Sequence, residues 1–218
     1  MNRVLSTSLW LGAAGLVGAM ALAVTAGAGE QMKAADPTRP QYTADGKLKS
    51  PDPEVFREWI QLGTPVTPND QNKGEAAFPE FHAVYVPQWA WAEFKKSGVW
   101  PDGTIMAKEL ILVGETQASS GKGYFEGEFH GLDVAVKDSK QSPNTPNNWA
   151  YYNFNHAKPP YAIDAAAQPK ANCSSCHEAN AGKDADYTFI KYYPKALAAQ
   201  AKAKMKDKPK DEGKPAAK

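Results

Sequence analysis

The only two cysteines of this 218-residue chain stand three positions apart, at Cys173 and Cys176, and His177 follows at once. C-S-S-C-H is the attachment signature of a c-type haem. Two thiols add to the two vinyl groups of the porphyrin, and the adjacent imidazole lies under the iron as its axial ligand. One turn of helix places all three groups, so the motif demands a short helix with a flat cofactor beside it. A structural zinc site would need four ligands, and His82, His130 and His156 have no zinc-like spacing to the pair. A thioredoxin-type redox pair would sit early in a βαβ unit, whereas this one lies late in the chain. The expected cofactor is one covalent haem c, held by Cys173 and Cys176, with His177 as the metal ligand.

The N-terminus reads as an export signal. A positive start, Met1-Asn2-Arg3, leads into an apolar stretch over 9–24 and a small-residue Ala26-Gly27-Ala28 site. That order is the pattern of a secretory signal peptide, and a bacterial periplasm is the implied compartment. The rival is a retained anchor, against which stand the glycines and a length short of the ~20 apolar residues that span a bilayer. The predicted organisation is a signal peptide over 1–28, a polar arm over 29–50, one domain over 51–199 and a basic tail over 200–218. From Ala201 on, seven lysines face three acids, which reads as a solvated end. A formal net charge of +1, with both signs mixed along the chain, gives no reason to expect a nucleic-acid partner.

Between these ends the pattern is α+β: an antiparallel sheet with flanking helices in a single domain. Proline at its start and Gly63 at its end mark a short amphipathic helix over 53–62. Strands are expected over 81–86, 103–115, 124–137 and 149–155, the second and third forming a hairpin, with a helix over 88–96. Two short helices, 174–178 and 186–199, close the domain. Small helical electron carriers use a methionine downstream of the haem motif. Here the only one is Met205, in the tail, which leaves Met106 on a strand as the alternative ligand. Five-coordinate iron with an open distal side is the reading that follows.

Side chains alternate faces along a strand. Met106, Lys108, Leu110 and Leu112 therefore share a face, and Lys108 either snorkels to water or is aimed at a cofactor. On the next strand one face is expected to carry Phe125, Gly127, Phe129, Gly131, Asp133 and Ala135. Glycines there mark close approach of a flat ligand or of another backbone. Asp133 is either a solvated strand-end acid or a partly desolvated proton acceptor.

Several longer runs carry a resemblance: F-P-E-F-H-A-V-Y-V from Phe78, D-G-T-I-M-A-K-E-L from Asp102, G-Y-F-E-G-E-F-H-G-L-D-V-A-V-K-D from Gly123, N-W-A-Y-Y-N-F from Asn148, and C-S-S-C-H followed by D-Y-T-F-I-K-Y-Y-P. In this order, over 53–197, they resemble the cytochrome P460 family. The resemblance implies a periplasmic, homodimeric, β-rich haem protein that oxidises hydroxylamine to nitrogen oxides and passes electrons to a soluble acceptor such as another c-type cytochrome. It also implies a third bond to the haem, from a lysine nitrogen to a porphyrin meso carbon. That lysine matches Lys108, the distal acid matches Asp133, the distal phenylalanine matches Phe78, and the polar residue four positions later matches His82.

Two positions depart from the pattern. The distal acid is glutamate in the better-known hydroxylamine oxidisers and is one methylene shorter here, and some members carry arginine where this chain has His82. A related branch, cytochrome c-prime-beta, shares the sheet and the late haem motif, lacks the lysine bond and resembles a nitric oxide binder. Lys108 and Asp133 favour the enzyme branch, with a gas binder and then an electron carrier as the alternatives.

Overall fold

The computed structural model describes residues 35–155 and 159–206. The predicted signal peptide, His156 and the end of the basic tail lie outside them. In chain order the elements are β1 (Leu48–Lys49), α1 (Pro53–Phe56), β2 (Ile60–Gly63), β3 (Phe81–Val86), α2 (Gln88–Ser97), β4 (Ile105–Val113), β5 (Gln117–Ala118), β6 (Gly121–Lys122), β7 (Glu126–Lys137), β8 (Trp149–Asn153), β9 (Asp164–Ala165), α3 (Ser174–Asn180) and α4 (Pro194–Lys206). The expected α+β architecture is present. Five strands form an antiparallel sheet in the order β2-β3-β4-β7-β8, with two small two-stranded sheets beside it. Among the described residues no helix is long and apolar enough to cross a membrane.

The sheet is covered on both faces, because alternate residues of its central strands are apolar in both directions. On one face Ala107, Leu132, Val134 and Tyr152 pack against Phe56 and Trp59 from the α1 region and Leu48 of β1. Leu48 is fully buried, so the polar arm contributes to this core. On the other face Val84, Val86, Met106, Trp149 and Tyr151 pack under Trp91 and Phe94 of α2, Trp100, and Ala196 of α4. Phe94 and Trp100 stack with ring centroids 3.9 Å apart, and an aromatic pair of this kind is worth about 0.5–1.5 kcal/mol beyond area burial. Met106 is thus engaged in core packing.

Three expectations from sequence are corrected. The helix over 53–62 stops at Phe56, and 60–63 form an edge strand. Asp52 caps the helix by accepting from the Glu54 amide at 3.0 Å, but Ile60 and Gln61 then pair with Val86 and Tyr85. Ile60 and Leu62 both face the α2 side, a spacing of two that a strand satisfies. The second correction is at the C-terminus. The helix expected over 186–199 begins only at Pro194, because Asp186 and Tyr187 take left-handed backbone angles. It then continues to Lys206, through residues that read as solvated tail. Gln200 and Ala203 are buried, and Gln200 Nε2 donates to the carbonyls of Gly98 at 2.9 Å and Asp184 at 3.0 Å.

The third correction concerns β7. Leu110 pairs with Gly131, but Ile111 pairs with Phe129, so one extra residue, His130, is inserted. Such a bulge reverses which face the following side chains take. Gly131, Asp133 and Ala135 stay on the Lys108 face, whereas Phe129 turns to the other and packs on Tyr161 at 4.6 Å. There the Tyr161 hydroxyl donates to Glu109 Oε1 at 2.6 Å, and Arg57 pairs with the same carboxylate. Gly127 does not clear space for a ligand: a Cβ on it would lie 3.0 Å from Gly114 Cα, so it serves the approach of two backbones.

Candidate haem site

Sheet register assembles one half of the site. Lys108 on β4 lies opposite Val84 on β3 and Asp133 on β7, and Asp133 lies opposite Asn153 on β8. These four form one row across the sheet, and the adjacent row is His82, Leu110 and Gly131. Lys108 Nζ stands 2.8 Å from Asp133 Oδ2, and the two side chains are 28% and 25% exposed. Asn153 Nδ2 donates to Asp133 Oδ1 at 2.9 Å. Both carboxylate oxygens are therefore engaged, which fixes the plane of the group. Of the two readings of Lys108, the chain shows its amine paired within the site and only partly exposed to water. The loop before β3 brings Phe78 over the pair. Lys108 Nζ lies 4.6 Å from its ring centroid, and the His82 ring meets the same phenyl edge-on at 5.8 Å. Thr67 Oγ1 donates to the Phe78 carbonyl at 2.6 Å and anchors the loop.

Helix α3 supplies the other half. Cys173 is its N-cap, so Cys173, Cys176 and His177 occupy the cap and the first turn. Both thiols are free; Cys176 is exposed and Cys173 half-buried. His177 lies against Tyr151 of β8 at 4.3 Å and Phe189 at 4.6 Å between ring centroids. Its Nδ1 is 2.7 Å from the Tyr187 carbonyl oxygen. A carbonyl only accepts, so Nδ1 carries the proton and Nε2 is left as the basic nitrogen. Burial pushes the imidazole below its ordinary pKa and the Lys108 ammonium acts the same way, while the bond to Tyr187 opposes them. Neutral imidazole is the form that binds metals. The Cys173 thiol is pushed up, first by burial and then by the Asp133 carboxylate, with Lys108 opposing. Tyr151, which packs on His177, shares the sheet face of Lys108, Asp133 and Asn153, so α3 lies on that face.

The seven residues singled out from sequence thus fall into two sets on one side of the sheet: Phe78, His82, Lys108 and Asp133 from the sheet and the loop before β3, and Cys173, Cys176 and His177 from α3. The donor chemistry decides what fits between them. Among the described residues no three His, Cys, Asp or Glu side chains could hold a metal ion together. A bare ion needing four protein ligands is not served. An iron that brings equatorial nitrogens of its own would need only one further donor, for which the basic nitrogen of His177 is available, and a porphyrin with two vinyl groups could take up the two thiols one turn apart. The residues fit haem.

Three contributors were missed from sequence. Asn153 was inside a recognised strand, but only the β7–β8 register sets it beside Asp133. The Tyr187 contact is made by a backbone oxygen, which has no residue signature. Asp186, next to it, is nearly fully buried, at a position where the sequence predicts only the start of a helix.

A β-rich sheet with this donor set defines a haem-binding protein that is not a helical bundle. The model of the family described as Cytochrome P460 matches residues 53–190, and the chain belongs to the cytochrome P460 family. A search of curated proteins returned no match.

Proposed function

We propose that this chain is an exported mono-haem c-type cytochrome that oxidises hydroxylamine to nitrogen oxides at a five-coordinate iron. The observation that carries the proposal is the Lys108–Asp133 pair at 2.8 Å on the sheet face against which α3 packs. A gas binder needs no acid there; an oxidation that releases protons along with electrons does. The haem, when bound, supplies the iron that takes electrons from the substrate nitrogen.

The chain's own residues supply the rest. Cys173 and Cys176 would hold the porphyrin through thioethers, and His177 Nε2 would supply the iron's protein ligand. Asp133, oriented by Asn153, accepts the protons that the substrate loses. Phe78 lies against the Lys108 amine, and His82, whose ring meets Phe78 edge-on, is placed to take protons onward. Lys108 would hold the porphyrin at a third point: its nitrogen would replace the hydrogen of a meso carbon, with loss of protons and of two electrons to an oxidant such as a peroxide, and Asp133 Oδ2 would then be released from the pair for the substrate. Protein levers on a haem are its ligand, its hydrogen bonds and distortion of the macrocycle, and Lys108 acts through the last. The export pattern of the N-terminus supports a periplasmic location, and the family resemblance supports a homodimer that delivers electrons to a soluble c-type acceptor.

Steady-state turnover of hydroxylamine by the haem-loaded protein, with an artificial electron acceptor, tests this directly; no turnover sinks it. The second reading is a nitric oxide binder with an aromatic distal wall, and the contact of Phe78 with Lys108 is compatible with both. D133A separates the two. A binder keeps its ligand affinity in that variant, whereas the enzyme loses turnover.

A further inference from the structure

Asp186 and Tyr187 are consecutive non-glycine residues with φ of 52° and 54°. A bulky residue in that region is a steric outlier, and such backbone persists only where the surroundings over-determine it. The surroundings here converge on one carboxylate. Asp186 Oδ2 accepts from Lys137 Nζ at 2.9 Å and from the Trp100 amide at 3.0 Å. Oδ1 accepts from Trp149 Nε1 at 3.3 Å and from Asn147 Nδ2. Lys137 and Asp186 are 5% and 3% exposed. The donors come from the end of β7, the start of β8, the loop between them, and the segment after α2. The carbonyl that follows this anchored residue is the one that accepts from His177 Nδ1 at 2.7 Å.

We infer that Asp186 is the positioning residue for the axial ligand: it clamps the strained Asp186–Tyr187 turn so that the Tyr187 carbonyl stays fixed on His177 Nδ1. The inference rests on His177 being the iron ligand, as proposed above, and not on the identity of the substrate. A carbonyl held against Nδ1–H sets the tautomer and ring orientation and raises the donor strength of the other nitrogen. A fold staple alone would not require strained backbone. The strain falls at the two residues whose backbone leads to His177, one salt bridge away from the sheet.

The test uses the haem-loaded full chain and two variants. N147G removes one donor to Asp186 while keeping a residue at ease with φ of 48°. The double variant K137M/D186N removes the buried ion pair without leaving either charge alone. Resonance Raman of the ferrous protein reads the iron–histidine stretch, and potentiometry reads the couple. In the double variant the stretch falls and the potential moves positive, by about a tenfold change in the one-electron equilibrium, ~59 mV. N147G shifts both in the same direction by less. Folded variants with the parental stretch and potential overturn the inference, and N147G decides alone if the double variant does not fold. If the parental protein has no iron–histidine stretch, the axial assignment itself falls and takes the inference with it.

Discussion

Replacing Asp133 by asparagine separates chemistry from stability. Asp133 Oδ2 stands 2.8 Å from Lys108 Nζ, and both side chains are about a quarter exposed. An ion pair with that much access to water is worth about 1 kcal/mol or less, which is an upper limit for the loaded protein, where linkage of Lys108 to the porphyrin would already have released Asp133. D133N keeps the shape and an oxygen that can still accept from Asn153. For a domain of this size ~1 kcal/mol lowers Tm by roughly 2–4 °C, so the variant should fold, load haem and keep its iron ligand. The expected loss in turnover is far larger. A positioned general base contributes roughly 10²–10⁴-fold, which is about 3–5 kcal/mol of barrier. The assay is hydroxylamine oxidation with an artificial acceptor, normalised to haem content, beside a thermal melt of the same sample. A haem-loaded D133N that turns over within a few-fold of the parent refutes Asp133 as the proton acceptor.

Three further outcomes are expected. K108M should load haem through Cys173 and Cys176 and give an ordinary c-type absorption spectrum, distinct from that of the parent; an unchanged spectrum would mean that Lys108 is not bonded. Glu109 is 3% exposed and accepts from Arg57 and Tyr161 on the face away from the haem. E109Q should therefore cost about 1–3 kcal/mol in denaturant unfolding without changing the spectrum, and a spectral change would contradict the separation of the two faces. Ending the chain after Ala199 removes Gln200 and its two hydrogen bonds, together with buried Ala203. At about 1 kcal/mol for each bond, Tm should fall by roughly 4–8 °C; an unchanged Tm would contradict the contribution of this last stretch of α4.

The strands of the sheet could be read from sequence because runs such as F-H-A-V-Y-V and W-A-Y-Y-N carry the β-branched and aromatic residues that a pleated, two-sided sheet buries. What could not be read is pairing. The extra residue at His130 reverses the side on which Phe129 lies, and no local property of G-E-F-H-G-L announces a register shift. The 60–63 segment was lost for the same reason: its helical spacing is real, and pairing with β3 overrides it. At the other end, Ala and Lys in 200–206 look like solvated tail until α4 meets α2 and Gly98.

In the candidate site, Cys173, Cys176 and His177 are legible in the sequence because their spacing is the whole signal. Lys108 and Asp133 were two open readings until strand register set them 2.8 Å apart. Asn153, Asp186 and the Tyr187 carbonyl act through positions that only the assembled fold brings together.

The central claim is that the haem is held at three points, with Asp133 beside the third. Tryptic mapping of the purified haem-loaded protein measures it most directly. The expected product is one haem-bearing species that joins the Cys173–Cys176 peptide to the peptide containing Lys108. A haem confined to the cysteine peptide, with the Lys108 peptide recovered unmodified, would contradict it.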